Sequence, residues 1–473
     1  MGQDIAASPF TERDFSRFSA RLREETRLLE TWFRDGALDA GEPTIGFELE
    51  AWLVKPDMDP APRVEDLLRR LADPLVVAEL ATFNIEFNGN FTHPRGQALS
   101  RLASELTETL NRAKQAARHL DIRLAMIGIL PTVRTEHLTL AFMTPRERYR
   151  ALNEQVLALR HGRPLMPRIE GRDRLELVWH DVMLEAGATS FQLHLKVQPD
   201  QAVRVYNASK IVSGPMVAIG ANSPYFFGHD LWDETRIPLF EQAVSVNSSA
   251  LQERVGFGFR YARHSLMETF QANLDRYPIL LPRLMDEPPE RLAHLRLHNG
   301  TIWRWNRPLV GFEPDGRPHL RIEHRVLPSG PSVPDLIANA AFYFGLVRNL
   351  MRDEPPPESR LMFLHAQNGF YNCARRGLAA IIPWLDGQSH PVTRIIGDDL
   401  LPRAQEGLTD LGVDPTEIDH WLGIVERRLT TGRTGACWQR DWVRRNGPDM
   451  AALTAAYLSH QESGRPVHEW TWD

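Results

Sequence analysis

The segment TIGFELEAWLV (residues 44–54) alternates between apolar and acidic side chains over most of its length. Successive side chains of a strand point to opposite faces, so Glu48 and Glu50 share one face while Phe47, Leu49 and Ala51 take the other. Two carboxylates spaced this way stand roughly 6–7 Å apart along the strand. Like charges that close repel unless a cation lies between them. Gly36, Gly41 and Pro43 separate the strand from a helix expected over 12–35, where Phe15, Phe18, Leu22, Leu28 and Leu29 recur at near-helical spacing. The turn Pro56–Pro62 closes it.

Outward from this strand, the periodicities predict a short helix Val64–Leu71, a strand over 81–90, a helix Ala98–Leu120 and a strand Arg123–Leu130. Thr144 as cap and Pro145 in the first turn open a helix to about His161. A strand Thr189–Val197 and helices Ala202–Ile219 and Glu234–Val246 follow. His294–Arg307 and Pro318–Leu327 read as strands joined by the turn EPDGRP, and Val333–Met351 as a buried helix. The connections are not regular βαβ units, which favours an α+β fold with a largely antiparallel sheet. From about Glu354 the chain becomes mainly helical. We therefore expect a core over 1–355 and a helical C-terminal region over 356–473 packed on it.

Three further strands carry the same kind of polar face. In FNIEFNGN, Asn84, Glu86, Asn88 and Asn90 oppose Phe83, Ile85 and Phe87. In SFQLHLKV, Gln192, His194 and Lys196 oppose Phe191, Leu193, Leu195 and Val197. In LRIEHRV, Arg321, Glu323 and Arg325 oppose Leu320, Ile322 and Val326. One polar face is an ordinary solvated sheet surface. Four together, built of carboxylate, amide, imidazole and guanidinium with no Ser or Thr, point to a shared concave site. There Glu48, Glu50, Glu86, His194 and Glu323 supply hard oxygen and imidazole ligands suited to Mg²⁺ or Mn²⁺, and arginines serve an anionic substrate. In GTIWRWNRP, Arg304 shares a face with Ile302 and Asn306 on the strand reading. Arg236 follows the turn-rich stretch ANSPYFFGHDLWDET.

Composition narrows the alternatives. Lys and Arg total 55 against 61 Asp and Glu, a net charge of −6, which argues against a nucleic-acid coat. Two cysteines, Cys373 and Cys437, rule out a disulfide scaffold, a four-cysteine zinc site and an iron–sulfur cluster. There is no HExxH, GxxxxGK[ST], GxSxG, or GxGxxG after a strand, so any nucleotide must be held by metals and arginines. The start MGQDIAASPFTERDF is polar and does not read as a signal peptide. We expect a cytoplasmic protein, with no membrane or nucleic-acid partner and with room for a homo-oligomer. The sequons at Asn90, Asn207 and Asn247 then carry no weight.

GFELE, FNIEFN, FQLHLKV, ANSPYFFG and RIEHRVLPSGP, in this order, resemble the type 2 glutamate–cysteine ligase family of the glutamine synthetase-like carboxylate–amine ligases, over about residues 40–350 and again at TGRTGACWQ (431–439). The resemblance implies an open antiparallel sheet forming a funnel, covered outside by helices, with ATP at one end and an amino-acid substrate at the other. By position, Glu48, His194 and Glu323 would hold a metal that bridges the nucleotide phosphates. Glu50 and Glu86 would help hold another nearer the carboxylate being activated. Arg325, with Arg304 and Arg321, would neutralise the transferred phosphoryl group, and Arg236, Gln192, Asn88 and Asn222 would contact substrate or nucleotide. The implied activity is ATP-dependent amide formation through an acyl phosphate, with γ-glutamyl transfer to an amine such as cysteine. A non-catalytic nucleotide- and metal-binding relative and a metal-dependent amide hydrolase stay open as alternatives. The second strand carries Asn88 where ligases of this superfamily often have further acidic residues, and the histidine strand reads Gln192-Leu193-His194 rather than His-x-His.

Overall fold

The computed structural model describes residues 10–246 and 253–472; the amino-terminal stretch through Pro9 and the sequon at Asn247 lie outside them. The main sheet is built from β1 (Ile45–Val54), β2 (Val76–Ala78), β3 (Asn84–Asn88), β4 (Arg123–Ala125), β5 (Ser190–Val197), β6 (Asn306–Phe312) and β7 (Pro318–Pro328). Its order is β6-β7-β5-β1-β3-β2, with β4 also pairing β1, and every pairing is antiparallel. The sheet is open and curls into a half-barrel, giving the α+β class expected.

Register follows from the alternation already legible in β1. Glu48 pairs with Asn88 on one side and Gln192 on the other, and Glu50 pairs with Glu86. Glu323 pairs with His194, and Arg307 with Glu323. Directly opposed residues share a face, so these pairings put every polar set on the same side of the sheet. The opposite side, with Phe47, Leu49, Ala51, Leu53, Ile85, Phe87, Leu193 and Ile322 at 0–4% exposure, packs against the helices Ala98–Arg118, Ala202–Gly220 and Val333–Leu350. Burying each large apolar side chain contributes about 1.5–3 kcal/mol. A slip of one residue would carry this whole set to the polar side, so the core holds the register.

Several elements differ from expectation. His294–Arg307 is not one strand: Ala293–Gly300 is helical and β6 begins only at Asn306. His294, Leu295, His298 and Asn299 are buried, a helical spacing that the alternating leucines of LAHLRL mask. The helix expected from Thr144 starts at Glu147, because the Thr144 hydroxyl donates to the carbonyl of Glu79 (2.5 Å). The strand from Arg123 pairs only to Ala125. Beyond it, Met126 N donates to Gln461 (2.7 Å), and the Ile127 carbonyl accepts from the Thr189 hydroxyl (2.5 Å). The helix expected over Glu234–Val246 is confined to Arg236–Ala243. The region after 355 is mainly helical but includes a small hairpin, Ile381–Pro383 with Ser389–Pro391. It joins the same apolar core and bonds directly to it: Tyr457 donates to the carbonyl of Met126 (2.7 Å), and Arg428 to Asn339 (2.8 Å).

His298 ties the helix Ala293–Gly300 to its neighbour Met267–Arg276 through Nε2 and the carbonyl of Asn273 (3.0 Å). Burial, with Arg254 nearby, pushes its pKa down to about 4 despite that hydrogen bond. The folded state therefore holds His298 neutral while the unfolded chain takes up a proton below the ordinary histidine value. Stability is present above that value and falls with pH across the window between about 6.5 and 4, by on the order of 3 kcal/mol from this residue. Urea unfolding of wild type and His298→Gln at several pH values checks this. The variant should lose distinctly less stability on acidification, and parallel curves would refute the assignment.

Candidate active site

The polar side of the sheet lines a cavity of about 320 Å³, a volume within the small-molecule range. Glu48, Glu50, Glu86, Gln192, Arg236, Arg321, Glu323 and Arg325 all line it. Two groups of potential metal ligands stand at it, every member lining the cavity except His194. Glu48, His194 and Glu323 form one, and Glu50, Glu79 and Glu86 the other; within each, the ligating atoms lie within 4.8 Å of one another.

The first group is built with its own counter-charge. His194 Nε2 lies 3.1 Å from Glu48 Oε1. Arg307 grips Glu323 with both arms of its guanidinium (2.8 and 2.9 Å), and Arg325 reaches the same carboxylate at 3.1 Å. Burial works to raise Glu48, but the imidazole against it wins and holds its pKa down at about 2. Burial likewise opposes ionisation of Glu323, and Arg307, Arg325 and His194 together drive its pKa well below the usual range. Both are therefore firmly anionic. His194 is 3% exposed, and its Nδ1 has no hydrogen-bond partner among the described residues. Two anionic oxygens and an imidazole are a donor set that fits Mg²⁺ or Mn²⁺.

The second group is under strain of charge. Glu50 and Glu86 face each other across β1 and β3, and Glu79 joins them from the turn after β2. Burial, with Glu86 adding repulsion, raises Glu50 to about 7 even though Arg325 acts to lower it. Burial and the charges of Glu86 and Glu50 push Glu79 well above the ordinary carboxylate value. Glu50 is nonetheless fixed in place: it accepts from Ser190 N (2.7 Å) and from Gln192 Nε2 (2.9 Å). A divalent cation among the three carboxylates would offset the mutual repulsion that adds to burial in raising Glu50 and Glu79.

Glu79 was not among the expected ligands, although LVVAEL alternates so that Val77 and Glu79 share a face with Glu86 once the hairpin is formed. It supplies the additional acidic residue that Asn88 does not. Asn88 itself lies off the cavity and serves as support, donating to Glu86 Oε1 (2.8 Å) and to the carbonyl of Leu75 (3.2 Å). Arg307 was not among the expected site residues either. With β6 starting at Asn306, the parity places Arg307 on the cavity side and turns Asn306 toward the helices, where it bonds Ser213 (2.9 Å).

Two further expected residues stand elsewhere. Arg304 precedes the strand and does not line the cavity; it donates to Asn273 (2.8 Å) and lies over Tyr277. The face it was assigned existed only if His294–Arg307 were one strand. Asn222 is fully buried away from the cavity, donating to the carbonyl of Ser329 and the hydroxyl of Tyr457 (2.8 Å each), and so links the NSP turn to the C-terminal helices. Arg236 does reach the cavity, but most of its guanidinium is engaged. It donates to the carbonyls of Val326 (2.5 Å) and Arg325 (3.3 Å) and pairs with Glu234 (3.1 Å). Those carbonyls belong to the irregular stretch of β7 between His324 and Leu327, so Arg236 fixes the bulge that aims Arg325. Arg325 in turn donates to Gln192. Arg321 lines the cavity beside Phe91, and its Nε has no protein partner.

If Glu79 is the third carboxylate of the second group, Glu79→Gln should remove repulsion and raise the thermal midpoint of the metal-free protein at pH 8. It should also weaken Mn²⁺ binding by at least about tenfold, the loss that even outer partners of a metal produce. Calorimetry with and without Mn²⁺ reads both. A midpoint that falls together with unchanged Mn²⁺ affinity would place Glu79 outside the site.

Comparison with known proteins agrees with this fold. A curated relative, the "putative glutamate–cysteine ligase 2-1" of Rubrobacter xylanophilus, is 22% identical over 410 residues, 85% of this chain and 91% of its own. The crystal structure of glutamate–cysteine ligase from Francisella tularensis in complex with AMP superposes with a TM-score of 0.57 at 11% identity, covering 90% of each chain. A bifunctional glutathione synthetase from Pasteurella multocida gives 0.53 at 10% identity, over 93% of this chain and 55% of that one. These similarities establish the fold as that of the glutamine synthetase-like ligases. The family model of glutamate–cysteine ligase family 2 matches residues 44–459, from the first acidic strand almost to the end of the last long helix, and the chain belongs to that family.

Proposed function

We propose that this protein is an ATP-dependent carboxylate–amine ligase that activates the γ-carboxyl group of glutamate as an acyl phosphate and passes it to an amine such as cysteine. The observation that carries this reading is the adjacency, on one concave face, of two metal-ligand groups and a guanidinium fork. In the first step a substrate carboxylate oxygen attacks the γ-phosphorus of ATP, the bond to the bridging oxygen breaks and ADP leaves. In the second an amine attacks the acyl carbon and phosphate departs. Phosphoryl transfer asks for positioning and charge neutralisation rather than covalent help, and the residue types here suit that demand.

Glu48, His194 and Glu323 would hold the ion that meets the nucleotide phosphates, and Glu50, Glu79 and Glu86 one beside the carboxylate under activation. Bound there, Mg²⁺ or Mn²⁺ supplies charge neutralisation for the phosphoryl oxygens. Arg325, aimed by Arg236 and Gln192, presents its guanidinium to the group in transfer. Arg321 has an Nε to offer the nucleotide. Arg307 keeps Glu323 ionised and oriented. The binding partners in this reading are small molecules. Among the described residues no helix is long and apolar enough to cross a membrane, and we place the activity in the cytoplasm. Residues 1–355 form the catalytic core in this reading, and the mainly helical 356–473 brace it.

The test is a screen of glutamate and other carboxylates against amines, read by mass spectrometry for a new amide and by ADP release in equal amount. Glu323→Gln and Arg325→Lys should each lower kcat by roughly 10³-fold with circular dichroism unchanged. Hydrolysis without a new amide would identify a hydrolase instead, and full activity of Glu323→Gln would remove the metal assignment.

A further inference from the structure

The reading above leaves the amine without a receptor. Glu185 stands in the short 3₁₀ helix Met183–Gly187 that leads into β5, and it lines the same cavity. Its neighbours Met183, Leu184 and Ala186 are at most 4% exposed and belong to the apolar core, so the helix is anchored on both sides of the one acidic side chain it carries. That side chain turns into the cavity, and its Oε2 is buried there without a hydrogen-bond partner. It is not part of either metal-ligand group. A lone buried carboxylate oxygen is costly unless something pairs with it. Among the described residues none donates a hydrogen bond to it.

We infer that Glu185 is the receptor for the ammonium group of the amine substrate and takes the proton that this group must lose before it can attack. The inference rests on the ligase reading and specifies the subsite which that reading lacks. Two charged groups of the cavity act on Glu185: Arg325, which favours its ionised form, and Glu50, which opposes it. Both belong to the end of the cavity where the carboxylate would be activated. Burial raises Glu185 to about 8, a value suited to a group that exchanges a proton near neutral pH.

The step balances as follows. The substrate ammonium gives one proton to the Glu185 carboxylate. The freed lone pair attacks the acyl carbon, the carbon–nitrogen bond forms and the bond from that carbon to the phosphate oxygen breaks. The second proton on nitrogen leaves with the phosphate, and the amide keeps the third. Glu185 then returns its proton to water. Alkyl amines and amino acids, which are ammonium ions at neutral pH, need this service. Hydroxylamine, which is uncharged there, does not.

The experiment compares wild type, Glu185→Gln and Glu185→Asp with the best amine found in the screen and with hydroxylamine, at saturating ATP and carboxylate. For Glu185→Gln we expect kcat/KM for the ammonium substrate to fall about 10²-fold or more. Hydroxamate formation and the KM for ATP should stay within about twofold, and Glu185→Asp should recover part of the loss. Equal loss with both nucleophiles would show a merely structural role and overturn the inference while leaving the ligase reading intact, as would unchanged kinetics in Glu185→Gln. A wild-type protein that forms neither amide nor hydroxamate would overturn both.

Discussion

Burying like charge is the constraint around which this structure is arranged. Five carboxylates, Glu48, Glu50, Glu79, Glu86 and Glu323, are gathered on the floor of one cavity, and an ionised carboxylate that leaves water unpaired costs several kcal/mol. No strand could keep such a face on its own account. The convex side supplies the compensation: each acidic residue alternates with an apolar one that is almost fully buried against helices. Because the side-chain period is two, the same backbone register that buries Leu49 and Ala51 forces Glu48 and Glu50 together. The repulsion is thus held by the hydrophobic core rather than relieved by rearrangement.

The elements around the sheet finish what register begins. A regular β7 would continue its ladder with β5, but the bulge after His324 interrupts it, and Arg236 fills the gap with hydrogen bonds to the carbonyls there. Ser329, just beyond, donates to the carbonyl of Glu50 (2.6 Å) and ties the end of β7 to the acidic strand. Gly330 follows with φ +79°, where a Cβ would meet the carbonyl oxygen of Met126 at 2.0 Å. A side chain there would part β7 from the segment that Tyr457 and Gln461 bind. The C-terminal helices are in this way coupled to the catalytic strands through backbone contacts, which accounts for a family match that runs on to residue 459.

How much of this could be read from the chain depended on how long each regular pattern ran. β1, β3, β5 and β7 alternate for five residues or more, and their polar faces were legible with the correct parity. β2 has three residues, too few for alternation to stand out, and so Glu79 was missed. The stretch before β6 failed for a different reason. The helix carries Leu295 and Leu297 two apart, as a strand would, and extending the strand through it chose the face of Arg304, whereas β6 presents Arg307 to the cavity. Glu185 lies in a 3₁₀ turn with no period to read. The NSP turn marked a real junction, but Asn222 is spent on holding backbone and tyrosine rather than on the cavity.

The two metal-ligand groups are chemically alike on paper and electrostatically opposite in place. The first carries His194, Arg307 and Arg325 within bonding reach, so its carboxylates ionise readily and their orientation is settled in advance. In the role proposed for it, a cation arriving there would gain less from charge and more from geometry, as the placing of phosphate oxygens requires. The second group has Arg148 near Glu79 and Arg325 near Glu50, and that is not enough to offset three crowded carboxylates. A cation arriving there would pair charge that burial disfavours and end their repulsion. On the proposed reading, this asymmetry favours a first group already formed and a second completed by the cation it would bind.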